Sequence, residues 1–117
     1  MLGRILKLVL SALVLATVSV ACSSKSDYDR LIESARSGNV GAMYALFVTI
    51  EQRGSPEHPI TDEEQKEATH WLIKAGESND RRAAQVLALC YEKGCFGVSK
   101  DHEKALHYKQ LAETPAP

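Results

Sequence analysis

The segment AMYALFVTIEQRG, residues 42–54, returns later in the chain as AAQVLALCYEKG, residues 83–94. Ala42 falls on Ala83, Leu46 on Leu87, Ile50 on Tyr91 and Glu51 on Glu92, at a constant offset of 41 residues. A second pair of segments matches at an offset of 37, Ala68 with Ala105, Trp71 with Tyr108 and Ala75 with Ala112. The longer loop 54–62 absorbs the difference. Self-similarity at such a period constrains the fold strongly. A unit this short cannot bury its own apolar face, so successive units must stack and share one core.

The spacing of apolar residues says what the unit is. Five stretches carry helical periodicity, divided by turn signals, and no run alternates β-branched and polar residues for long enough to make a strand. The fold class is therefore all-α, a short α-solenoid of helix-turn-helix repeats with about two repeats plus a leading helix. The first helix begins near Ser26, with Tyr28, Leu31, Ile32 and Ala35 on one face, and stops at Gly38. The second runs from about Val40 to Arg53 with Ala42, Ala45, Leu46 and Ile50 at helical spacing, and RGSPEHP ends it. TDEE, Thr61 to Glu64, is a capping box that opens the third, whose Ala68, Trp71, Leu72 and Ala75 face inward. Asn79 or Asp80 caps the fourth, with Ala83, Leu87, Ala88 and Tyr91 along one side and Gly94 as its left-handed terminus. The fifth starts at Ser99 or Asp101 and carries Ala105, Tyr108, Leu111 and Ala112.

Ahead of these helices stands a segment of another kind. Arg4 and Lys7 precede an apolar run from Leu8 to Val20 that ends in SVAC. A basic start, a short apolar run and small residues at the cut describe an export signal over residues 1–21. The run is short for a spanning helix, which needs about 20 residues. SVAC resembles a bacterial lipobox, in which the residue after the cut, here Cys22, becomes the lipid-modified N-terminus; Ser19 stands where that pattern usually has Leu. The resemblance implies a lipid anchor in the bacterial cell envelope. Ser23 then implies the outer membrane, facing the periplasm, since lipoproteins of the inner membrane usually carry Asp there. Free secretion and a retained membrane anchor are the alternatives. Residues 22–26 would be the tether, 27–113 the repeat domain and 114–117 a tail. Loss of Arg4 and Lys7 leaves 14 − 2 = 12 basic residues against 15 acidic, a net charge of −3. No basic face is visible, so nucleic acid is not an expected partner.

The second repeat, AAQVLALCYEKGCFGVSKDHEKALHYKQLA, resembles the Sel1-like repeats, α-hairpin relatives of the tetratricopeptide repeat. Ala83, Leu87, Tyr91, Gly94, Gly97, Val98, Asp101, Lys104, Ala105 and Tyr108 carry the match. Ala88 stands where that family has Gly, and one extra residue separates Gly94 from Gly97. In the first repeat Phe47 replaces the same Gly, Ile50 replaces the Tyr, and the Gly-Val turn is lost. The resemblance spans nearly all of 27–113, with repeats at about 40–76 and 80–113. It makes the dense stretch CYEKGCFGVSKDHEKA, residues 90–105, a turn between two helices, with Phe96 and Val98 packed beneath it and Asp101 capping the next helix.

Each chemically suggestive group has a structural reading beside the functional one. Cys90 and Cys95 could bind a metal, remain free thiols or, in an exported chain, form a disulfide. The last requires the chain to turn back after Gly94, because i and i+5 lie too far apart in a straight helix. His58, His70, His102 and His107 show no metal-ligand spacing, so surface positions are expected. Glu63 and Glu64, or Asp101 and Glu103, sit in first helical turns, where negative charge offsets the helix dipole. No nucleophile, phosphate-binding or dinucleotide motif occurs, so no enzyme, cofactor or metal is expected.

What remains is binding. In repeats of the resembled kind the first helix of each hairpin lines a concave face. That face would present Tyr44, Val48, Glu51 and Gln52 from the second helix and Arg82, Gln85, Leu89 and Glu92 from the fourth. One aromatic and two aliphatic residues among polar groups suit a protein or peptide partner in the envelope. Val48 and Leu89 could equally belong to the core. The expected function is a membrane-anchored periplasmic adaptor, with immunity against an envelope-targeting toxin as a specific form of it. A structural envelope protein that binds peptidoglycan is the alternative.

Overall fold

The structure, a computed structural model, describes residues 25–115. The segment expected to be an export signal, residues 1–21, the expected lipidation position Cys22, Ser23, Ser24 and the last two residues of the tail lie outside the described residues. Among the described residues five helices follow one another: α1 (Asp27–Arg36), α2 (Val40–Gln52), α3 (Asp62–Glu77), α4 (Arg81–Lys93) and α5 (His102–Glu113). The fold is all-α, and each helix packs on the next in chain order. No helix among the described residues is long and apolar enough to cross a membrane.

Every helix starts on a side-chain cap that satisfies a backbone N–H with no partner within the helix. Ser26 accepts from the Asp29 amide, Asn39 from Ala42, Thr61 from Glu64, Asp80 from Ala83 and Asp101 from Lys104. Thr61 and Glu64 form the reciprocal capping box, the Glu64 carboxylate accepting from the Thr61 amide. Gly94 ends α4 at φ 77°, the left-handed conformation that its missing side chain permits.

The internal repeat is more exact in the backbone than in the side chains. Helices α2 and α4 begin and end at positions related by the offset of 41, and their caps Asn39 and Asp80 correspond. The symmetry also reaches back into the turns before them. Asn39 donates its amide to the Ser34 carbonyl as Asp80 donates to Ala75, and Gly38 donates to Ala35 as Asn79 donates to Gly76. Gly38 and Asn79, the equivalent turn residues, both have positive φ, 102° and 67°. Thus α1 is the structural counterpart of α3, and the leading helix belongs to the repeat.

The core runs as one cluster through all the helices, from Ala35 through Leu46, Ile50, Leu72 and Leu87 to Ala105 and Tyr108. The apolar faces read from the sequence are buried as expected in α3, where Ala68, Trp71, Leu72 and Ala75 are all covered. In α2, Met43 and Phe47 join the buried set while Ala45 is half-buried, and in α4, Ala84 and Cys90 join it while Ala88 is half-buried. The reason is stacking. A helix covered on two sides buries a wider face than a single periodic stripe.

The cap of α4 should make stability depend on acid. Burial pushes the Asp80 carboxyl up, but hydrogen bonds from Arg82 and from the Ala83 and Arg82 amides outweigh it and hold it below its usual 3.8. The Thr61 amide and hydroxyl likewise hold Glu64 below its usual 4.5. A carboxyl depressed in the folded chain contributes stability above its unfolded value, and that contribution fades as pH falls through the folded value. Asp80→Ala should therefore cost about 1 kcal/mol at pH 7. Urea titrations should show the gap to the wild type closing as the pH falls below 3.8, whereas Asp80→Asn keeps the cap and shows a smaller gap at pH 7.

Candidate partner-binding surfaces

The cysteine turn is scaffold. Cys90 and Cys95 are joined as a disulfide, their Cα atoms 4.6 Å apart, which is possible because the chain reverses at Gly94. The turn then reaches across to the first hairpin. Phe96 sets its ring edge-on against Phe47, centroids 5.1 Å apart, and its carbonyl accepts from the Thr69 hydroxyl at 2.5 Å. Gly97 lies over Gln65 and Thr69, where a Cβ would be in ordinary contact, 3.4 Å from the Gln65 side chain. To hold this position Phe96 takes φ 49°, a conformation L-residues resist. The disulfide-closed turn is thus a clasp between the two hairpins.

The eight residues expected on the concave face are engaged unequally. Tyr44 and Arg82 meet, the guanidinium carbon 4.5 Å from the ring centroid, while Arg82 also pairs with Asp80 at 3.0 Å. This joins the two halves of the set. Glu51 accepts from Gln65 at 2.6 Å, and Val48 packs against the core cluster, whereas Gln52 is exposed. On α4 the pattern reverses. Gln85, Glu92 and Leu89 are all exposed, Leu89 at 49%.

Those three α4 residues line a groove with α5. A cavity of about 340 Å³ lies between Gln85, Ala88, Leu89 and Glu92 on one wall and Lys109, Ala112 and Glu113 on the other. A second cavity of about 160 Å³ shares Ala88, Glu92 and Lys109 and adds His102, Ala105 and Leu106. Together they make one trough along the outer side of the α4–α5 hairpin. Leu106, 47% exposed, was not among the expected binding residues, and the signal for it is the offset of 37 that sets it on Thr69.

A third cavity, about 470 Å³, opens elsewhere on α5 and is lined by Ile73, Glu77, Tyr91, Glu103, Lys104, His107 and Tyr108. Tyr91 and Tyr108 stack beneath it with planes 4° apart, and Lys104 stands 5.3 Å above the Tyr91 ring. Burial, then the charge of Glu77, raise the Tyr108 phenol above its usual 10.0, so it stays protonated and can donate a hydrogen bond. The chemistry on offer is binding by hydroxyls and carboxylates. His58, His70, His102 and His107 are all exposed, and no three metal-ligating side chains converge among the described residues. A scan against protein-family models, a search of curated proteins and a search of solved structures each returned no match for this chain.

Proposed function

We propose that the chain is a non-catalytic adaptor of Sel1-like repeat type, anchored in the bacterial envelope by a lipid on Cys22 and binding a protein partner in the periplasm. One observation carries the binding part of this reading: the open trough of the second hairpin, with two half-exposed leucines on a floor of small residues. The anchor rests on the lipobox-like SVAC ahead of a polar tether. Immunity against an envelope-targeting toxin is a specific form of the same reading.

Site-specific photocrosslinking tests it. Probes placed at Gln52 and at Leu106 in the full chain, irradiated in intact envelopes, should capture the same protein from at least one position. Capture from neither in envelopes where the chain is present would overturn the adaptor. A deletion strain that is selectively sensitive to one competitor's toxin would narrow the reading to immunity. Palmitate labelling that disappears with Cys22→Ala checks the anchor, and an unlabelled wild type removes it.

The cavity over the stacked tyrosines favours a second reading, a structural protein that binds cell-wall glycan, because carboxylates beside phenol hydroxyls match sugar hydroxyls. Cosedimentation with purified peptidoglycan, abolished by Glu77→Ala with Glu103→Ala, is the outcome it expects.

A further inference from the structure

The second hairpin repeats the first, and what covers the first shows what the second lacks. Tyr44 of the first hairpin lies under Arg82 of α4, Phe47 and Thr69 lie under Phe96 of the turn, and Gly76 lies against Leu87. Carried forward by the two offsets, these positions become Gln85, Ala88, Leu106 and Glu113. All four line the open trough. The trough is therefore the continuation of the established interface between hairpins, a seat for a helix.

The occupant differs from α4 in one definite way. Gly76 admits α4 so closely that a Cβ there would stand 2.6 Å from Leu87 Cδ1. At the equivalent position stands Glu113, whose side chain holds an incoming helix further out. At the same time Phe47 is replaced by Ala88, and the floor is completed by Ala105 and Ala112. A helix held off from an alanine-lined floor reaches it only with long apolar side chains. Its charge is also indicated. Arg82 crosses the corner at Tyr44, and the matching corner holds Gln85 with Glu113, so a basic residue at that point meets a carboxylate.

Among the described residues, a second copy of this chain offers no such helix. Leu89 and Leu106 are the only large apolar side chains left exposed among the described residues, and both lie in the trough itself. Two concave faces set against each other leave a gap that neither fills. We propose that the α4–α5 trough binds an amphipathic helix of a partner protein, one that presents leucine-sized side chains at i, i+3, i+4 and i+7 with an arginine or lysine beside Glu113. The proposal rests on the adaptor reading and supplies its partner class.

The test uses the full-length chain held in a neutral amphipol and two labelled 18-residue helical peptides, with empty amphipol as the blank. One peptide carries the leucine face flanked by arginine, and the other has alanine at each leucine position. Fluorescence anisotropy should show the leucine peptide binding at least about tenfold more tightly than the alanine peptide. Leu89→Lys with Leu106→Lys should weaken it about tenfold or more, Glu113→Lys about threefold, and Glu57→Ala, an exposed loop residue outside the trough, not at all. Both leucines are half exposed, so an unchanged circular dichroism spectrum and unfolding midpoint accompany the loss.

Equal binding of the two peptides, or binding untouched by the double lysine variant, overturns the assignment. So does sedimentation of the wild type as a dimer that Leu89→Lys dissociates, because the occupant is then a second copy. A crosslink from Gln52 that persists while the trough binds nothing removes the trough proposal and leaves the adaptor standing. Absence of both removes both.

Discussion

Reduction of the Cys90–Cys95 bond should lower the unfolding free energy by about 2 kcal/mol through chain entropy alone, given the short loop it closes. In a domain of this size that is a fall of roughly 8–16 °C in the thermal midpoint. The effect should exceed the entropic figure, because the bond also holds the turn whose Phe96 ring and carbonyl bridge to Phe47 and Thr69. Two variants separate these contributions in the oxidised chain. Phe96→Ala removes the ring and keeps the resisted backbone angle, while Phe96→Gly removes both ring and resistance. The glycine variant should be the more stable by about 1 kcal/mol. If reduction leaves the thermal midpoint unchanged, the turn is held by packing and the clasp needs no bond.

Gly76→Val is expected to be the more damaging single change, at about 2–3 kcal/mol or above. Its Cβ would stand 2.6 Å from Leu87 Cδ1 and 3.2 Å from Tyr108 Cε1, so it strikes two neighbouring helices together. Neither neighbour can yield easily. Leu87 has no exposed surface, and the Tyr108 ring is stacked on Tyr91. Gly76→Ala should cost less, since alanine recovers up to about 1 kcal/mol of helix propensity. A double-mutant cycle makes the mechanism visible: in a Leu87→Ala background the penalty for Gly76→Ala should shrink or change sign in urea titrations. An unchanged penalty would place the strain elsewhere.

Most of the architecture could be read before any coordinates. The caps at Ser26, Thr61 and Asp101, the left-handed end at Gly94 and the buried face of α3 all follow from local signals in which side chain and backbone agree. What escaped was the meeting of units. In the sequence Gly76 marks only the end of the first repeat, and its place against Leu87 of α4 and Tyr108 of α5 shows that it is there for close approach. Phe96 reads as packing under its own turn, yet it reaches a helix 49 residues earlier in the chain, which no local periodicity encodes. The candidate surface was half legible for the same reason. Periodicity places Leu89 and Val48 at equivalent positions, but Val48 packs against the core cluster while Leu89 is left 49% exposed, a difference of tertiary neighbours that no local pattern encodes.

The substitution of Glu113 at the position of Gly76 also bears on how such a chain can grow. Tandem duplication is the cheapest way to lengthen a repeat protein, since a copied hairpin arrives with the surface its neighbour needs. Here a duplicated hairpin appended after α5 would meet a side chain where its template met none. Replacing Glu113 with Gly is therefore the first step an engineer would take to extend the array.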